Sequence, residues 1–322
     1  MNRRHFLTFS PSRIVPGKPG DETDQSHFRG LVVSGRDRTV TAGGSADISR
    51  LRALIRRSLT ALSGTANARD AWARFIRPGE LIGLKVNCLA GPHASTRPEM
   101  AYAVAAELID AGHRPENIII WDRSERELKR IGYELKRSGQ GPLCFATDTS
   151  GYGYDGDLYI AGAVGSLFSR LLLRLNAIIN LPVLKDHGLA GVSLGMKNYF
   201  GVIHNPNKYH EDLCDPYVAD LCASKLIRRL NRLTIIDGLT GLCHGGPAYF
   251  QQWSWPWGGI IMGSDQVAVD RIGWDVIDRR RAEVGLPSLA EADREPRWVF
   301  TAADPEHNLG EAELDRIKVV EA

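Results

Sequence analysis

The stretch from Asn180 to His204 holds the densest set of side chains able to do chemistry. Lys185 and His187 are two residues apart, so in extended chain they point to the same side. An ammonium beside an imidazole keeps the ring neutral, and the two form an acid–base couple. Lys197 and Asn198 follow and would stabilise a developing oxyanion. Gly188, Gly191, Gly195 and Gly201 give a backbone that can approach a ligand closely. The bland alternative is an irregular buried loop whose polar groups serve the backbone.

Three further segments carry candidates. Lys85-Val-Asn87-Cys88 is followed by Thr96-Arg97-Pro98-Glu99. Thr96 and Glu99 have the spacing of a capping box, and a helix N-terminus suits an anion. Arg97 would add a bidentate contact to a carboxylate or phosphate, and Lys85 a point charge. Otherwise Arg97 pairs with Glu99, and Asn87 caps the strand. His204, His210 and Cys214 can ligate metal, but their H-x5-H-x3-C spacing fits no standard site. His210 either faces a substrate or is an ordinary loop histidine. Asp237 closes an apolar run, a position for a catalytic or orienting carboxylate. Ser264 or Asp265 would cap a helix, within which Asp270 faces either core or cleft. Trp253, Trp255 and Trp257 form either a core patch or an aromatic pocket wall.

These residues need a scaffold, and the apolar pattern supplies one. Short runs at Leu31–Val33, Leu81–Val86, Asn117–Trp121, Ala177–Leu181, Leu233–Ile236 and Ile260–Met262 read as strands. Helical spacing covers 48–62, 96–111, 125–136, 167–175, 216–230 and 266–284. The alternation predicts an α/β fold: a mostly parallel sheet with helices on both faces. Ligands of such sheets bind beyond the strand C-terminal ends, where the candidates fall. Gly139–Gly156 reads as a loop or hairpin insertion, Pro182 as a strand stop. The organisation expected is an arm over residues 1–30 and one α/β domain over 31–322, with a division into two lobes near 150–165.

Composition narrows the function classes. The 322 residues include 40 basic and 38 acidic side chains, a net charge of +2. That balance gives no case for nucleic acid as partner. Residues 1–77 are strongly basic, which suits a solvated helix face or an anion-attracting rim. Arg greatly outnumbers Lys, so the retained lysines at strand ends draw interest. The five cysteines form no C-x-x-C pair, which argues against an iron–sulfur cluster, a zinc finger or a disulfide framework. Met1-Asn-Arg-Arg-His-Phe-Leu is similar to a twin-arginine leader but lacks the apolar stretch, so a cytoplasmic location is expected and periplasmic export is the alternative. No run approaches the length of a membrane span.

The segment from Leu181 to His210, LPVLKDHGLAGVSLGMKNYFGVI followed by KYH, resembles the bacterial family called domain of unknown function 362. IIDGLTGLCHGGP, IIMGSDQVAVD and GLKVN fit the same pattern, so the resemblance spans about residues 80 to 320. It implies fold and site but little about reaction. Some members carry ferredoxin-like cluster domains, whose cysteines are missing from this sequence. A local likeness of Ser95-Thr-Arg97-Pro98 to lactate racemases implies a carboxylate-binding role for Arg97.

The reading that joins these observations is an enzyme acting on a small anionic substrate. Lys85, Asn87, Arg97 and Asn198 would bind it; Lys185, His187, Lys197, His210 and Asp237 would do the chemistry. The alternatives are a metal- or cofactor-dependent redox protein, with His204, His210 and Cys214 as ligand candidates, and a non-catalytic binding module.

Overall fold

The computed structural model describes residues 26–42 and 45–322; the twin-arginine-like segment and most of the expected arm lie outside them. The apolar runs form strands β1 (Leu31–Arg36), β2 (Ile82–Val86), β3 (Ile118–Trp121), β4 (Leu143–Cys144), β5 (Tyr159–Ala161), β6 (Val164–Ser166), β7 (Ala177–Leu181), β8 (Val183–His187), β9 (Gly191–Val192), β10 (Asn231–Leu242), β11 (Ser254–Trp255), β12 (Gly259–Gly263) and β13 (Lys318–Glu321). The helices are α1 (Ile48–Ser63), α2 (Ala68–Ala73), α3 (Pro98–Asp110), α4 (Glu125–Ile131), α5 (Arg170–Arg174), α6 (Gly195–Asn198), α7 (Tyr217–Ala223), α8 (Lys225–Leu230), α9 (Gln266–Glu283) and α10 (Trp298–Ala303).

The main sheet runs β13-β1-β12-β10-β7-β2-β3-β4. Pairing is parallel from β10 through β4 and between β1 and β13. Strand β12 is antiparallel to both neighbours. This is the α/β, mostly parallel sheet that the sequence predicts.

Strand periodicity explains the layers. Successive side chains leave opposite faces of a sheet. Ile118 and Ile120 accordingly join α1 and α3 in one apolar cluster, with Leu54 and Val104. Ile119 and Trp121 join α7 and α9 in the other, with Leu221 and Ile277. Strands β2, β3, β7 and β12 are buried along their whole length, as expected of strands covered on both sides. Sheet and clusters draw residues from both sides of the 150–165 region.

Several boundaries differ from expectation. Helix α4 stops at Ile131, because Gly132 takes the left-handed conformation that ends it. The stretch expected helical over 216–230 divides at Ser224, whose side chain caps α8. The hairpin is β5–β6, just beyond the turn-rich stretch. The basic side chains of α1 form no rim to the site: Arg52 and Arg56 bond the buried carboxylate of Glu107 on α3.

Candidate functional site

The C-terminal ends of β2, β3 and β8 meet α6 around a cavity of about 250 Å³. Lys85, Asn87, Asp122, Lys185, His187, Lys197, Asn198 and His210 line it. Pro182 ends β7 as expected, but the chain resumes at once as β8. Both strands pair in parallel with β10, with a register shift between Asp237 and Leu242. The strand so offset carries Lys185 and His187 forward to the cavity.

Helix α6 is held by groups beneath it. The Asp270 carboxylate accepts the N–H groups of Gly195 at 2.7 Å and Met196 at 2.8 Å. These N–H groups open a helix and have no partner within it. Asn180 donates to the Gly195 carbonyl. Only glycine fits position 195, since a Cβ there would lie 2.8 Å from Thr234 Cγ2 and 2.9 Å from Asp270 Oδ1. Burial pushes the Asp270 carboxyl up to about 7, against the two N–H groups that favour its charged form.

The lysines differ in their partners. Lys85 is fully buried and donates to Asp122 Oδ1 at 2.8 Å, to the Val86 carbonyl and to Asn198 Oδ1. Asp122 also accepts the N–H groups of Cys88 and Arg123. Lys185 donates to Asn87 Oδ1 at 2.9 Å and the Ala94 carbonyl at 2.7 Å, both neutral oxygens. Lys197 sits 3.8 Å from the centre of the Phe200 ring and 3.0 Å from His210 Nε2. Burial pulls both Lys185 and Lys197 down to about 8. A desolvated ammonium without a counter-charge is costly, which favours loss of its proton.

The two histidines divide in role. His187 Nδ1 accepts the N–H groups of Leu189 and Ala190, so its hydrogen is on Nε2. Burial, then the charges of Lys197, His210 and Lys185, hold this ring down to about 2, so it stays neutral. The expected Lys185–His187 couple is therefore not the hydrogen-bonded one: the bonded couple is Lys197–His210. His210 Nδ1 faces the Pro206 carbonyl, which leaves Nε2 to accept from the Lys197 ammonium.

A family model described as "Domain of unknown function (DUF362)" matches residues 82–275. The chain belongs to this family. All the residues lining the cavity fall inside the matched segment. The chain is also 27% identical over 269 residues to a thylakoid-associated protein of Synechocystis sp. (strain ATCC 27184 / PCC 6803 / Kazusa), covering 78% of this chain and 76% of that protein.

In this DUF362 member several expected site residues lie outside the cavity. Arg97 donates from its guanidinium to Thr240 and from its backbone to Asp237. Asp237 also accepts from Leu239, and burial raises its carboxyl above the usual range. The pair ties the start of α3 to β10 and is not among the lining residues. The capping box does not form: Thr96 uses its hydroxyl to join Asn87 N–H to the Leu181 carbonyl. His204 is exposed, its ring edge-on to Tyr154. Cys214 is buried, and among the described residues no group of three or more His, Cys, Asp or Glu is placed to hold a metal ion. The proposed ligands His204, His210 and Cys214 are thus not brought together. Trp257 packs over Gly238, and Trp253 and Trp255 lie partly buried against the core; none of the three lines this cavity. Among the described residues no helix is long and apolar enough to cross a membrane.

Sequence reasoning missed Asp122 and the role of Asp270. Asp122 follows strand β3 directly, the same kind of position that singled out Asp237. Asp270 faces the core side, where its carboxylate orders α6.

Proposed function

We propose that the cavity binds a small carboxylate- or phosphate-bearing molecule and acts on it by Lys/His acid–base chemistry. One observation carries this reading: Lys185 and Lys197 both line the cavity, and among the described residues neither has a carboxylate at ion-pair distance. Such ammonium groups are costly to bury, and an anionic ligand would supply the missing charge. The volume, about 250 Å³, suits a molecule at the small end of ligand sizes. Lys197 and His210 would exchange the proton, and neutral His187 would donate from Nε2. Lys85 is already paired with Asp122 and would hold Asn198 in place instead of meeting the ligand. The five buried free thiols agree with a reducing compartment such as the cytoplasm.

The test is calorimetric titration of the full chain with inorganic phosphate, citrate and acetate, alongside a Lys185→Met/Lys197→Met variant. Saturable binding that the variant loses while staying folded supports the reading. Equal binding by both proteins overturns it.

A further inference from the structure

We infer that Lys197 is a nucleophile that captures a small carbonyl compound as an imine, with His210 as its proton acceptor. This rests on the anion-binding reading and adds the substrate class: a small carboxylate that also bears an aldehyde or ketone.

The environments of the cavity lysines carry the inference. Lys85 faces the Asp122 carboxylate at 2.8 Å. Lys185 is held by two oxygens that accept hydrogen bonds. The surroundings of Lys197 differ in kind. Its one hydrogen-bond partner among the described residues is the lone pair of His210 Nε2; the face of Phe200 also meets it, and the Cys214 thiol is near enough to act on its charge. A nitrogen lone pair can take a proton, which neither a carbonyl nor an amide oxygen does readily. Lys197 is only 8% exposed, and that exposure is to the cavity it lines. Desolvation in such a setting, which lowers the lysine to about 8, keeps a share of the amine free near neutral pH. Lys185 supplies charge for a carboxylate in the same cavity, so anchor and nucleophile stand together.

The step balances without an oxidant or reductant. Lys197 passes one proton to His210 Nε2, and the amine nitrogen forms a bond to the carbonyl carbon. The carbonyl oxygen takes the proton from the imidazolium, and His210 Nε2 then takes a second proton from the nitrogen, giving a neutral carbinolamine. His210 returns that proton to the hydroxyl, the carbon–oxygen bond breaks, water leaves, and a protonated carbon–nitrogen double bond remains.

The test is reductive labelling of the full chain with glyoxylate and cyanoborohydride near pH 7.5, read by peptide mass mapping. Lys129 and Lys136, both exposed, serve as internal references. Lys197 should label at least about tenfold faster than either, because ordinary lysines are almost wholly protonated there. Inorganic phosphate should slow labelling at Lys197 and leave Lys129 unaffected. His210→Gln should slow Lys197 labelling several-fold while phosphate still binds. If Lys197 labels no faster than Lys129 but phosphate still binds, the imine is overturned and the anion site stands. If neither labelling nor phosphate binding occurs, both are overturned.

Discussion

The carboxylate of Asp270 accepts the backbone N–H of Gly195 at 2.7 Å, two residues before Lys197 in the chain. An acid on α9 thus sets the start of the short helix that presents the cavity ammonium. Asp270→Asn keeps the shape but offers one acceptor oxygen for two N–H groups. It should destabilise the protein by about 1–3 kcal/mol, the cost of a buried donor left unsatisfied. Anion binding should weaken with it. Urea unfolding and calorimetry of the same variant check both.

The same carboxyl predicts a pH dependence. Its folded value, about 7, lies above the ordinary 3.8, so the folded state holds the proton more tightly. Its contribution to stability is full below the unfolded value and is lost as pH rises toward 7. Wild type should therefore lose stability relative to Asp270→Asn across that window. Parallel unfolding curves at each pH would contradict the assignment.

Lys197 also acts on its neighbours at a distance. Burial and then Lys197 lower His210, and the same two causes, in that order, lead for His187. Lys197→Met should raise the titration of both rings toward the ordinary range without restoring it, since burial persists. Proton NMR of the ring C–H resonances reads this; unmoved rings would separate the lysine from the histidines.

Lys85 and Asp122 form a buried pair 2.8 Å apart. Removing one partner strands the other, at a cost of about 3–5 kcal/mol. Lys85→Met should fall in that range. Asp122→Leu should cost more, because the Cys88 and Arg123 N–H groups also lose their acceptor. The double variant should be more stable than the sum of the single losses implies, as a denaturant double-mutant cycle would measure.

Away from the cavity, His307 lies between Asp220 and Asp304, at 2.8 and 3.0 Å. Burial works against its charged form, but hydrogen bonds to the two carboxylates prevail and raise it above 6.5. Its contribution is full below the unfolded value and disappears as pH rises through the folded one. Asp220 also accepts the Ala163 N–H at the tip of the β5–β6 hairpin. Hydrogen exchange at Ala163 should therefore gain protection in mildly acidic solution, and His307→Gln should abolish that gain.

Much of this was legible in the sequence for identifiable reasons. Buried parallel strands read as apolar runs, so their ends, and with them Lys85, Lys185 and His187, were locatable. Periodicity does not show which polar side chain turns inward from a strand end. Arg97 and Asp237 had the right positions but satisfy each other across α3 and β10. Asp122 stood at an equivalent end, directly after Trp121, and the rule that picked out Asp237 applies to it equally. The Lys197–His210 contact joins residues with no shared periodicity, so only the folded chain reveals it. Thr96 matched a capping pattern, yet tertiary partners claimed its hydroxyl first.

The two halves of that contact rest on supports of unequal firmness. Lys197 stands on a helix anchored from below by Asp270 and Asn180. His210 belongs to a stretch of single 3₁₀ turns in which Asn205, Asp212, Leu213 and Cys214 all have positive φ. Such conformations carry local strain and are held by their surroundings, not by preference. The cavity thus joins a residue on an anchored helix to one on a strained segment, and that segment keeps its shape because Tyr209 and Cys214 within it are packed into the core.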